Sequence, residues 1–347
     1  MLRPRRAAAL LPLIGLCSQL AACDRAPREI VLTGAAMGTT WTLRVMPAGR
    51  ALEAQDLRRL AEAALEEVDE SMSTYRPDSA VSRFNASDST DWVDVPQPLA
   101  AVAAESRRIH ALSGGAFDIT VAPLVRLWGF GPAEPRSDPP TDESVAAALA
   151  ACGASNLEVR LDPPSLRKRL PRLTLDLDAI APGYAVDLMA ERIEAAGLTD
   201  YMIEIGGEVR VRGRNARREP WRIGVERPQE SGRAVAQVLH LESMAVSTSG
   251  DYRDYFESGG RRYSHTIDPR TGRPVQYDLA SVTVLRPTAL EADGLSTALT
   301  VLGPEAGFEL AERMGWAVLF VERRASGFAQ RETTAFARAA EAGESVP

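Results

Sequence analysis

Two segments of this 347-residue chain carry side chains whose types and spacing suit chemistry at a phosphate. In Glu291–Gly303, Asp293 and Thr297 stand four residues apart, so in a helix their Cβ atoms lie on one face about 5–6 Å apart. A carboxylate beside a hydroxyl suits a hard cation such as Mg²⁺, which takes its other ligands from water and substrate phosphate. The plainer reading of the pair is a helix start, with Asp293 in the first turn, favoured by the macrodipole, and Thr297 simply packed. In Ser247–Pro274, a hydroxyl-and-glycine turn at Ser247-Thr248-Ser249-Gly250 precedes an aromatic stretch, and His265 stands two residues before Ile267-Asp268-Pro269. A histidine with a near-neutral pKa can take a proton from an attacking hydroxyl, which makes His265 a candidate base.

Other reactive side chains are scattered. His110 falls on an expected helix and His240 in an expected strand, where surface or packing roles explain them, and three dispersed histidines do not make a zinc site. Neither Gly114-Gly115 nor Gly206-Gly207 fits a G-x-G-x-x-G dinucleotide fingerprint, so both read first as turns. Met37 and Phe117 read as core residues, and Tyr75 as packing or as a stacking surface for a planar ring.

The elements that must position these groups can be read from periodicity. Strands are expected at Ile30–Thr33 and Thr39–Val45, followed by helices over Leu52–Met72 and Leu99–Leu112, the second ended by Gly114-Gly115. Gly129–Asp142 is a Pro/Gly-rich loop before a short alanine helix, Glu143–Ala151. Arg172–Leu177 alternates as a strand, and Tyr184–Ala196 reads as a helix closed by Gly197. Further strands are expected between Tyr201 and Leu285, then helices at Ala292–Val301 and Pro304–Met314 and a last strand at Ala317–Glu322. Helices grouped apart from antiparallel runs argue for an α+β fold. The Ala/Glu-rich tail from Ala335 reads as frayed.

Composition sets the context. With 45% hydrophobic and 25% charged residues the chain is an ordinary globular protein, and a net charge of −7 argues against nucleic acid as the main partner. Lys168 is the only lysine, which reads as a compositional bias toward arginine. At the N-terminus a basic Met1–Arg6 and an apolar Ala7–Ala22 end in Leu20-Ala21-Ala22-Cys23, the pattern of a bacterial lipoprotein signal. Residues 1–22 are then a signal peptide and 23–29 a linker, with Cys23 acylated and the chain held at a membrane surface. Asp24 after the lipidated residue favours retention at the inner membrane, on its periplasmic face. Cys17 leaves with the signal, so Cys152 stands alone and no intrachain disulfide is expected.

Eight short motifs share one order and spacing over residues 30–325: Met37-Gly38-Thr39, Ser73-Thr74-Tyr75 to Asn85, Ala116-Phe117-Asp118, Asp176 to Asp187, Gly206-Gly207, Ser247 to Tyr252, Ser264-His265 to Pro274, and the Asp293–Thr297 pair. In these the chain resembles the FAD:protein FMN transferases, the ApbE-like flavin transferase family. The resemblance implies an α+β, T-fold-like architecture with mixed or antiparallel sheets flanked by helices in two intertwined lobes. The transferase domain would span residues 30–325, with 326–347 as a tail.

The resemblance also implies that Met37, Tyr75, Ala116, Phe117, Asp118, Asp176 and Ile267 contact FAD, and that the Ala179 main-chain oxygen joins Asp293 and Thr297 on Mg²⁺. Pro182 occupies a FAD-contact position that usually carries Lys or Glu, and Ser296 a position that is acidic in some relatives. The implied reaction is Mg²⁺-dependent transfer of FMN from FAD to a Thr or Ser hydroxyl of an exported or membrane-bound redox subunit, with release of AMP. The alternatives are a Mg²⁺-dependent FAD pyrophosphatase, in which water replaces the acceptor, and a non-catalytic FAD-binding lipoprotein.

Overall fold

The strand Ala317–Arg324 shows how the layers form. Val318 and Phe320 face one side and Ala317, Leu319 and Val321 the other, and none of the five is more than 1% exposed. A strand apolar on both faces must be covered on both. The computed structural model describes residues 29–47, 53–131, 136–227, 234–250 and 255–342. Cys23 and the signal segment lie outside the described residues, as do Asp251 and Tyr252.

Among the described residues, eight strands form one antiparallel sheet whose spatial order is its chain order. They are Ile30–Ala36, Thr39–Val45, Tyr201–Ile205, Glu208–Arg212, Ser243–Gly250, Leu279–Arg286, Ala317–Arg324 and Gly327–Glu332. The helices Ala54–Met72, Ala181–Ala195 and Ala289–Met314 build the core on one face. The first buries Leu57, Ala61, Ala64, Leu65 and Val68, a spacing that keeps one stripe inward. The other face is covered by the hairpin of Trp221–Arg227 with Ala234–Leu241 and by the helix Thr334–Ala342. Helical and antiparallel parts are segregated, as an α+β fold requires.

Three expectations are corrected. Arg172–Leu177 alternates as expected, with Leu173, Leu175 and Leu177 fully buried, yet it joins no ladder. Ser247–Gly250 is the end of a strand, not a turn, because Ala245–Gly250 pairs residue by residue with Ser281–Arg286. The tail is not frayed from Ala335 to Ala342, its last described residue: Gly327–Glu332 is the eighth strand, and the helix after it, Thr334–Ala342, buries Phe336 completely. The helices expected before and after Gly303 both form within Ala289–Met314, parted where Gly303 leaves the helical conformation at φ 80° ahead of Pro304.

Candidate active site

Because neighbouring strands connect at alternate ends, the Met37-Gly38 turn, the Gly206-Gly207 turn and the end of Ser243–Gly250 all fall at one end of the sheet. A cavity of about 730 Å³ opens there, within the usual range for small-molecule sites. Tyr75, Ala116, Phe117, Asp118, Asp176, Ala179, His265, Ile267, Asp293 and Thr297 line it together, although up to 222 positions separate them in the chain (297 − 75). Met37 and Pro182 are not part of the lining. Met37 sits at φ 53° in the hairpin turn and packs against the main core, and Pro182 occupies the first turn of Ala181–Ala195.

One wall is the extended segment that carries Asp176, Asp178 and Ala179. Side chains and main-chain carbonyls, not a neighbouring strand, bind backbone groups of this segment. Asn85 Nδ2 donates to Leu175 O at 2.9 Å, and Leu175 N donates back to Asn85 Oδ1 at 2.7 Å. Asp176 N donates to Ile119 O at 2.7 Å. Lys168, buried to 1% exposure, donates from Nζ to Leu173 O at 3.1 Å and Ser87 O at 2.5 Å. Burial pushes its amine below the ordinary lysine range. The only lysine is therefore a structural donor, beyond what compositional bias explains. Burial also pushes the Asp176 carboxyl up. Asp178 has surface open to the cavity, but crowding walls strip its hydration and the Asp176 charge adds to this, which raises it to about 7.

A second wall is the turn after the helix Gln97–Leu112. His110 Nδ1 lies 2.9 Å from Phe117 O and 3.7 Å from Asp118 Oδ2, and it braces the Ala116–Asp118 turn. Asp118 lines the cavity, but its carboxylate is engaged inside the protein. Oδ1 accepts from Thr120 N at 2.8 Å and Thr120 Oγ1 at 2.7 Å, and Oδ2 accepts from Ala154 N at 2.9 Å. His265, half-buried, meets the Phe130 ring edge-on at 6.4 Å between centroids.

The floor is the helix Ala289–Met314, registered against Ala181–Ala195. Asp187 accepts from the helix-start amides of Ala289 at 3.0 Å and Leu290 at 2.9 Å, and pairs with Arg210 at 2.6 Å. Gly183 N donates to Asp293 Oδ2 at 2.9 Å. Only glycine fits at 183, since a Cβ there would meet Ala289 O at 2.4 Å and Asp293 Cβ at 2.7 Å. Asp293 is therefore not an exposed first-turn acid: Thr288 caps the helix, and Asp293 sits a turn further in at 5% exposure. Burial raises its carboxyl to about 7, against the Gly183 hydrogen bond and with the Asp187 charge.

Glu208 belongs to none of the motifs picked out in the sequence. It follows the Gly206-Gly207 turn and lines the cavity, and its Oε2 is enclosed with no hydrogen-bond partner. Burial, then the Asp293 charge, push it well above the ordinary carboxylate range. The signal available was alternation: Val209 and Val211 face the hairpin layer, so Glu208 and Arg210 must face the helices.

Asp293, Thr297 and the Ala179 carbonyl fit a hard cation completed by phosphate oxygens and water, as Mg²⁺ sites are. Among the described residues no three His, Cys, Asp or Glu side chains cluster into a metal site built from protein alone.

The sequence model of the ApbE family matches residues 37–320. The FAD:protein FMN transferase of Haemophilus influenzae is 40% identical over 336 residues, covering 95% of this chain and 97% of its own. The FAD:protein FMN transferase of Vibrio cholerae is 41% identical over 318 residues, covering 91% of this chain and 94% of its own. Among solved structures, the flavin transferase ApbE from Vibrio cholerae superposes with a TM-score of 0.83 at 38% identity, over 89% of this chain and 98% of that one. The apo form of the Pseudomonas stutzeri flavinyl transferase ApbE gives 0.82 at 42% identity, over 90% and 97%.

Proposed function

The chain belongs to the ApbE family, and from that premise we propose how its cavity carries out FMN transfer from FAD to a protein. One observation carries the reading: a candidate base, a carboxylate–hydroxyl pair and an aromatic rim meet in one cavity of suitable size. FAD lies with its pyrophosphate toward Asp293, Thr297 and Ala179 and its rings toward Tyr75 and Phe117. A Thr or Ser hydroxyl of the acceptor attacks the FMN phosphorus, a new P–O bond forms, and the bridging P–O bond to AMP breaks. His265 takes the hydroxyl proton, and AMP leaves with the electron pair of the broken bond. Asp293, Thr297 and the Ala179 carbonyl would hold Mg²⁺, which when bound would supply neutralisation of the phosphate oxygen charge. Asn85, Lys168 and Gly183 keep the walls and floor in place before substrate arrives.

The acceptor is an exported or membrane-bound redox subunit, and the enzyme is anchored through Cys23 on the periplasmic face of the inner membrane. The support for this is the Leu20-Ala21-Ala22-Cys23 pattern and Asp24. No helix among the described residues is long and apolar enough to cross a membrane. Cys23→Ala should release the protein from membranes or stop its processing, and wild-type chain found wholly in the soluble fraction would sink the anchor.

The reaction is tested by incubating the chain with FAD, Mg²⁺ and a candidate acceptor. Intact-mass analysis should show an FMN adduct on the acceptor and an equal amount of AMP. AMP and free FMN without an adduct would favour hydrolysis, and FAD binding without AMP would make the chain a carrier.

A further inference from the structure

Glu208 lines the cavity together with residues of the cation helix, and one of its oxygens is satisfied by no described residue. A buried carboxylate oxygen left unpaired is costly, and such groups persist where a ligand completes them. Oε2 of Glu208 is enclosed and without a partner, and the residue shares the lining with Asp293, Ser296 and Thr297. A chain of polar groups leads from one to the other: Glu208 lies near the Ser247 hydroxyl, Ser247 Oγ lies 3.0 Å from Ser296 Oγ, and Ser296 Oγ donates to Asp293 O at 2.9 Å. Ser247 and Ser296 are buried and bonded to each other, and Ser296 also to the Asp293 carbonyl, while Oε2 of Glu208 takes neither hydroxyl. Glu208 and Asp293 thus share one space with Asp118, Asp176 and Asp178, and among the described residues no arginine or lysine lines it. A positive charge from outside the chain is what such a space lacks.

We propose that Glu208 supplies a second carboxylate oxygen, through Oε2, to the divalent cation held by Asp293, Thr297 and the Ala179 carbonyl. The inference rests on the cation reading above and extends it from the helix to the Glu208–Arg212 strand. In this chain the cation would be clamped between sheet and helix, with Ser247 and Ser296 setting the spacing.

The test is direct binding of Mn²⁺ to the purified chain, read from the electron paramagnetic resonance of the free ion, without any turnover. Glu208→Gln keeps the size and the Ser247 contact but removes the charge, and should raise the Mn²⁺ Kd by about 10- to 100-fold. Adding Ser296→Asp to that variant should restore much of the affinity, because Ser296 Oγ borders the same Ser247 hydroxyl. An unchanged Kd in Glu208→Gln, with weakened binding in Asp293→Asn, would overturn the role of Glu208 and leave the cation site standing. If Asp293→Asn also binds Mn²⁺ as the wild type does, the cation site itself is lost and this inference with it. Circular dichroism of each variant separates lost binding from lost fold.

Discussion

Asn85 and Leu175 are 90 positions apart, and one side-chain amide binds both the N–H and the C=O of that leucine at 2.7 and 2.9 Å. The amide does for the extended segment what a neighbouring strand would do for a ladder. The bracing acts right beside the chemistry: Asp176 follows Leu175 directly, and Asp178 and Ala179 come next along the same cavity wall. Leu173, Leu175 and Leu177, all fully buried, hold the opposite side of the segment in the core.

Asn85→Ala should therefore act on both stability and substrate binding. It strands two backbone groups in a buried segment, each costing about 1–3 kcal/mol. The expected result is a lower midpoint in denaturant together with weaker FAD binding, measured by unfolding curves and FAD titration on the same preparation. A variant that loses stability but binds FAD as before would show that the segment needs no bracing for its role in the site.

Gly183→Ala tests the register between the two helices. Its added methyl would overlap Ala289 O and Asp293 Cβ, and overpacking of this kind costs about 1–3 kcal/mol. Asp293 should shift and lose its Gly183 partner, so Mg²⁺ should be needed at higher concentration for transfer. Activity measured across a Mg²⁺ series would show it, and an unchanged series in a folded variant would refute it.

His265→Ala should lower turnover by about 10²- to 10⁴-fold if the imidazole takes the acceptor proton, with FAD affinity nearly unchanged. Single-turnover transfer and FAD titration separate these effects. A loss confined to FAD binding would make His265 a ligand contact and move the base elsewhere.

Much of this fold was legible because periodicity reports burial. The helix stripe of Ala54–Met72 and the strands of the central sheet are written in their apolar spacing. Arg172–Leu177 misled because the same period appears in any extended buried segment, and the sequence does not say whether a strand or a side chain such as Asn85 satisfies the backbone. The tail misled because its alanines look solvent-facing until Phe336 is seen to close the far side of the sheet. In the site, Asp293 and Thr297 announce themselves by helical spacing, whereas Glu208 matters through neighbours 39 and 85 positions away, Ser247 and Asp293 (247 − 208 and 293 − 208). No local pattern encodes such distant company.

The last prediction concerns pH. Asp178 and Asp293 are both raised in the folded chain to about 7 from an ordinary value of 3.8. For an acid raised on folding, the native state holds protons that the unfolded chain has released, so stability falls as pH rises between the two values. Without divalent cation, the wild-type chain should therefore lose thermal stability between about pH 4 and pH 7 relative to Asp293→Asn, which keeps an acceptor for Gly183 N but has no proton to lose. The melting temperature of Asp293→Asn should overtake or approach that of the wild type as pH increases, when both are scanned in EDTA. Added Mg²⁺ should raise the wild-type melting temperature most at the upper end of that range, because there the carboxylate is ionised and its charge is otherwise uncompensated. A difference between the two chains that stays constant from about pH 4 to pH 8 would mean that Asp293 ionises freely in the folded protein, and the burial argument for this site would have to be given up.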